Sequence, residues 1–275
     1  VASPVFSNAQ EFKADPLLAD QPSAADLERQ YQAPSAAPGY VVTERMSYQG
    51  VINKTAGLGI VTLGLGAATY VYVAQQPSAL LFAFGAGILA MIVGLVAAFK
   101  RTPGPALVAT YAAAEGVFLG AITVAIETWA DVPGAGVQAL LATGLTFMIC
   151  LWLYRSGKVR YTAKLNKIFM IGAISYLAFS LVNLGYMIFS DSNQMFGLYS
   201  VEIAGIGVPL GAIIGLVAIL LACISLIGDF DFIDNGVKRG LDKKIEWKAA
   251  FGLIVTLVWL YTEFLRLIAI FSGRD

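Results

Sequence analysis

Residues 79–101 read ALLFAFGAGILAMIVGLVAAFKR: twenty-one residues without a charge, then Lys100 and Arg101. At about 1.5 Å per residue, such a run forms a helix long enough to cross a hydrocarbon core of about 30 Å. The same arrangement recurs on both sides of it. Apolar segments lie at roughly 56–74, 79–99, 105–126, 136–153, 168–189, 203–228 and 249–271. Short loops separate them, marked by Gln75-Gln76-Pro77, Thr102-Pro103-Gly104-Pro105, Val132-Pro133-Gly134 and Asp191-Ser192-Asn193. A spanning strand would alternate apolar and polar residues, and these segments do not, so the spans are helices. The expected fold is all-α, a bundle of seven transmembrane helices over residues 49–275. Residues 1–48 precede it as an arm rich in Ala, Ser, Pro and Gln. That arm has too little apolar surface to offset its ordering entropy, so it is expected to be disordered, with a short helix around Ala24–Tyr31.

The charges orient the bundle. The first, third and fifth loops contain no Lys or Arg. The second, fourth and sixth carry Lys100 and Arg101; Arg155, Lys158, Arg160, Lys164 and Lys167; and Lys238, Arg239, Lys243, Lys244 and Lys248. Lys13, Arg29, Arg45 and Lys54 precede the first span, leaving only Arg266 and Arg274 of the 18 basic residues outside the pattern. Basic loops remain in the cytoplasm, so the expected topology is N-terminus inside and C-terminus outside. The first 45 residues carry no apolar core of a signal peptide, so the first span is expected to serve as the insertion signal.

Composition narrows the function. Hydrophobic residues make up 58% of the 275, far above what a soluble domain of this size hides. There is no basic cluster with interleaved aromatics, so nucleic acid is not an expected partner; the bilayer is, and other membrane proteins are candidates. With 0 histidines, His-based catalysis and His metal ligation are excluded. Cys150 and Cys223 lie inside apolar segments and read as packing thiols. No nucleotide-binding loop and no Gly-x-Gly-Asp aspartate pair is present, so no enzyme and no cofactor is expected. Gly116 with Gly120, and Gly207, Gly211 and Gly215, form small-residue stripes at which helices approach closely in lipid.

What stands out is the acids within apolar segments. Glu115 lies near the middle of the third span, and Glu263 lies in the seventh with Arg266 one turn on. A charge at bilayer depth costs about 2.5–3.5 kcal/mol on insertion scales, so such a group faces the protein interior and takes a partner or a proton. Asp229, Glu263 and Glu115 are therefore the candidate proton-sensing or gating residues. Glu263 with Arg266 at i,i+3 is also a candidate ion pair. Asp229, Asp231 and Asp234 crowd the end of the sixth span and form a candidate site for a hard cation such as Ca²⁺. On a helix, Asp229 and Asp231 stand about 200° apart and do not share one partner.

Three stretches resemble the Bax-inhibitor family, the transmembrane Bax inhibitor motif proteins, in its bacterial branch. They are Glu115-Gly116-Val117-Phe118-Leu119-Gly120 in the third span, Asp229-Phe230-Asp231-Phe232-Ile233 closing the sixth, and Leu260–Phe271 in the last. The resemblance covers most of residues 50 to 275. It implies a seven-helix fold with the C-terminal helix central. It also implies a pH-sensitive Ca²⁺ leak, latched by two aspartates that share a proton between the sixth and seventh helices. The first of these falls on Asp229. The second falls on Thr256, and Glu263 is seven residues beyond it. The family's acid in the second helix has no counterpart, since residues 79–99 contain no charge. If Glu263 replaces the missing aspartate, Glu263→Gln should act like Asp229→Asn, and Thr256→Ala should matter little. The alternative is a non-conducting regulatory membrane protein that binds proteases or other membrane proteins.

Overall fold

The computed structural model describes residues 44–190, 196–203 and 207–272, together with Glu28. The expected disorder of the arm up to residue 43, and its short helix apart from Glu28, lie outside the described residues. So does the turn at Asp191–Asn193.

Seven long helices follow in order: α1 (Tyr48–Gln75), α2 (Leu80–Phe99), α3 (Pro105–Trp129), α4 (Ala135–Arg155), α5 (Ala163–Phe189), α6 (Leu210–Lys238) and α7 (Ile245–Ser272). All seven are long and apolar enough to cross a membrane, and no strand is present among the described residues. Their starts follow from local chemistry. The Ser47 hydroxyl accepts from Gly50 N (3.0 Å), and the Thr162 hydroxyl accepts from Leu165 N (3.2 Å). α3 begins on Pro105, whose missing N–H would be unsatisfied at that position in any case.

The sixth apolar run is longer than a span needs, and it breaks at Pro209. The apolar run begins near residue 203, but the helix begins at Leu210, immediately after Pro209. Among the described residues, Gly197–Ser200 form a 3₁₀ turn, and a return follows in which Ile203 N bonds Val208 O (3.0 Å) and Leu210 N bonds Val201 O (2.8 Å). Gly207 sits in this return at φ +64°, a left-handed conformation that favours glycine, so it is not part of the α6 stripe. At its other end α6 continues through the aspartate run to Lys238, because Phe230 and Ile233 are buried and hold it helical.

α7 is the axis. It packs against α1, α3, α4 and α6, and its Glu263 reaches Tyr176 of α5. Around it, α1 and α2 each lie along α3. The α3 glycines make the first of these contacts close. A Cβ on Gly116 would lie 2.5 Å from Thr62 O, and one on Gly120 would strike the Gly66 carbonyl. Large apolar side chains such as Phe82, Phe99, Ile174 and Phe189 stand exposed on α2 and α5, as suits surfaces turned to lipid. At the end where the basic loops gather, residues Glu44–Met46 pair with the α6–α7 connection: Met46 N bonds Leu241 O and Lys243 N bonds Glu44 O, both at 2.7 Å. The Glu44 carboxylate beside Lys243 raises that ammonium's pKa above its ordinary value.

Candidate functional site

Asp229 is half-buried on the face of α6 turned to α7. The Thr256 hydroxyl donates to its Oδ2 at 2.8 Å. The same hydroxyl lies 3.1 Å from the Gly252 carbonyl and 3.3 Å from Ser225 Oγ. Gly252 keeps α7 close here, since a Cβ would sit 3.1 Å from Asp229 Oδ1. A polar seam of Ser225, Asp229, Gly252 and Thr256 therefore joins α6 to α7 within an apolar core. Beside it lies a cavity of about 450 Å³, bordered by Asp229, Asp231, Ser225, Tyr161, Asn235 and Arg239, toward the basic-loop end. Burial, then the carboxylates of Asp229 and Asp231, raise the pKa of the Tyr161 phenol. It stays protonated and donates to Asn166 Oδ1 (3.0 Å).

The three aspartates of α6 do not converge. Asp231 borders the same cavity but turns to Asn235 Nδ2 (2.8 Å) and, more weakly, to Tyr154 of α4 (3.4 Å). Asp234 is held by Lys238 and by the Tyr48 hydroxyl of α1, each at 2.6 Å. Among the described residues, no three His, Cys, Asp or Glu side chains are gathered as a metal ion would require. The Asp229–Asp231–Asp234 cluster is thus two cavity-lining carboxylates and one surface ion pair.

Glu263 does not meet Asp229. It lies seven residues past Thr256, about 10 Å along α7. Its side chain is 2% exposed, paired with Arg266 and hydrogen-bonded by Tyr176. The Arg266 guanidinium stacks over the Tyr199 ring at 4.1 Å, and the Tyr199 hydroxyl is 3.1 Å from Ser180 Oγ. The i,i+3 pair anticipated in the sequence is present, and it explains why Arg266 lies outside the basic pattern: it is buried and neutralised. The hydrogen-bond partner of Asp229 on α7 is Thr256, not Glu263.

Glu115 is half-buried on the face of α3 that lies against α2. One turn before it Tyr111 packs near Gly94, and one turn after it Phe118 packs near Gly87. It makes no hydrogen bond or ion pair with the described residues and stands apart from the Asp229 seam.

Two further acids escaped the sequence reading. Glu246, wholly buried at the start of α7, accepts from Ser47 N (2.9 Å) and Ser47 Oγ (3.2 Å) and pairs with Lys54. Its place just outside the expected span made it look like an ordinary loop acid. Glu127, in the last turn of α3, accepts from the Tyr70 hydroxyl and from Gly136 N at the start of α4, both at 2.7 Å. A carboxylate at a helix N-terminus is favourably placed, and the spacing of residues 127 and 136 was the only signal for it.

Seven membrane-crossing helices gathered on the last of them, with a hydroxyl–carboxylate seam between the sixth and seventh, define a multi-pass integral membrane protein. The chain belongs to the Bax inhibitor 1 like family, whose family model matches residues 3–273. Comparison with curated proteins finds no match.

Proposed function

We propose that the protein is a proton-sensitive cation leak with Ca²⁺ as its ion, governed by Asp229 and set in a bacterial inner membrane with the basic loops in the cytoplasm. One observation carries this reading: Asp229 has α7's Thr256 on one side and a 450 Å³ cavity on the other. A carboxylate so placed couples the occupancy of the cavity to the closure of the α6–α7 seam. A proton or cation arriving from the cavity competes with Thr256 for the same oxygens. Ca²⁺ takes about 6–8 oxygen ligands. Asp229, Asp231, Ser225 and Asn235 offer only part of that number, and water completes it. Such an incomplete site binds weakly enough to release its ion, as conduction requires.

With Thr256 in place of a second aspartate, one carboxyl titrates at the seam instead of a coupled pair. The pH profile of flux is then a single-proton transition and not the two steps of a dyad. The test is Ca²⁺ flux into liposomes across pH for the wild type, Asp229→Asn, Thr256→Val and the Glu263→Gln/Arg266→Met double variant. Asp229→Asn should lose the pH response, Thr256→Val should displace it, and the double variant should keep it. A full pH response in Asp229→Asn overturns the assignment. Absence of flux at every pH in the wild type supports a non-conducting, partner-binding role instead.

A further inference from the structure

A second cavity, of about 540 Å³, lies on the outer flank of the bundle, away from the Asp229 seam. α1 and α4 form its walls, and α3 and α7 its floor. Along α1 it runs from Gly59 to Val71 and along α4 from Gly136 to Phe147. Those stretches correspond to about 16–18 Å of helix, against about 15 Å for one leaflet of the hydrocarbon core. The groove therefore covers one leaflet's depth, on the side away from the basic loops. An acyl chain of one leaflet fits its length. Glycine keeps it open: a Cβ on Gly59 or Gly144 would meet nothing within 4 Å.

The groove is apolar through its length and polar at one end. There the Thr123 and Tyr261 hydroxyls lie 2.6 Å apart, and Glu127 is held by Tyr70 and Gly136 N. Each Glu127 oxygen accepts one hydrogen bond from these partners and has a further lone pair to offer. Among the described residues, no Lys or Arg lines the groove. An acidic, acceptor-rich end selects a cationic donor and disfavours an anionic headgroup.

We propose that this groove is a lipid site, taking one acyl chain of an amine-bearing phospholipid from the leaflet away from the basic loops, with the ammonium group on Glu127. The full chain in mild detergent is titrated with phosphatidylethanolamine, phosphatidylcholine or phosphatidylglycerol of identical acyl chains, and retained lipid is read by native mass spectrometry. The wild type should retain one phosphatidylethanolamine several-fold more than either competitor, because the choline head cannot donate and the glycerol phosphate is anionic. Glu127→Gln keeps the shape and should bring phosphatidylethanolamine and phosphatidylcholine to parity. Gly144→Trp, which fills the open wall, should lose the bound lipid. Equal retention of the three lipids by the wild type overturns the proposal. So does undiminished phosphatidylethanolamine on Gly144→Trp, or a dimer that this substitution dissociates without loss of lipid. If Gly144→Trp does not fold, the headgroup comparison between wild type and Glu127→Gln decides alone.

Discussion

Removing one member of the Glu263–Arg266 pair should destabilise the bundle far more than removing both. Glu263 is 2% exposed and the Arg266 side chain 14%, so neither charge recovers its hydration when the other is lost. Breaking a buried pair costs about 3–5 kcal/mol, whereas replacing both members with uncharged groups of similar size is close to neutral. The singles should also differ. Arg266→Met leaves a carboxyl that still has Tyr176 and can neutralise itself by taking up a proton. Glu263→Gln leaves a guanidinium that cannot lose its charge, over the Tyr199 ring, with a buried Nε that has no hydrogen-bond partner among the described residues. Glu263→Gln should lie near 5 kcal/mol and Arg266→Met near 3, which is roughly a several-thousand-fold and a hundred-fold shift in the folding equilibrium. The Glu263→Gln/Arg266→Met double variant should lie within about 1 kcal/mol of wild type. Equilibrium unfolding of the four proteins in mixed micelles with SDS measures the cycle. A coupling energy below about 1 kcal/mol, the value of an exposed pair, would refute the reasoning.

Gly116→Val should cost about 1–3 kcal/mol through overpacking, because a Cβ there already stands 2.5 Å from Thr62 O; the same unfolding assay measures it, with Gly57→Val, open on all sides, as control. Glu246→Gln should loosen Ser47, read as faster hydrogen exchange at the Ser47 amide with the Met46 amide, bonded to Leu241 O, changed less, since the carboxylate alone holds Ser47 N, Ser47 Oγ and Lys54 together. A reporter fused after Asp275 should be active only outside the cytoplasm, as the loop charges require; activity inside would remove one span from the topology.

The spans were legible because hydropathy is a local property: the uncharged run at 79–99 needs no knowledge of its neighbours to be read as a helix. The limits of the sixth helix were harder. Residues 203–208 are as apolar as a helix interior, and the signals that separate them from it are Gly207, at φ +64°, and the missing N–H of Pro209. Asp229-Phe230-Asp231 alternates as a loop or strand would, and its helical state depends on burial of Phe230 and Ile233 against other elements. The seam was half legible. Registration of the last helix placed Thr256 opposite Asp229, whereas the charge of Glu263 drew attention to a residue committed elsewhere. Glu246 could not have been found, since its partners Ser47 and Lys54 are 199 and 192 residues away in the chain.

The central position of α7 bears on how the protein is made. The helix that touches α1, α3, α4, α5 and α6 leaves the ribosome after all of them. Until then Lys54 waits without the acid that neutralises it, and Asp229 without the hydroxyl that holds it. α1, α2 and α3 can dock on one another early through the Gly116–Thr62 and Gly120–Gly66 approaches, but the remaining helices have no axis to close upon. Nascent chains halted before Ile245 should therefore hold a protected α1–α3 unit beside helices still open to proteolysis and to chaperone capture. Closure of the remaining bundle would then wait on α7, with quality control reading that helix on behalf of those before it.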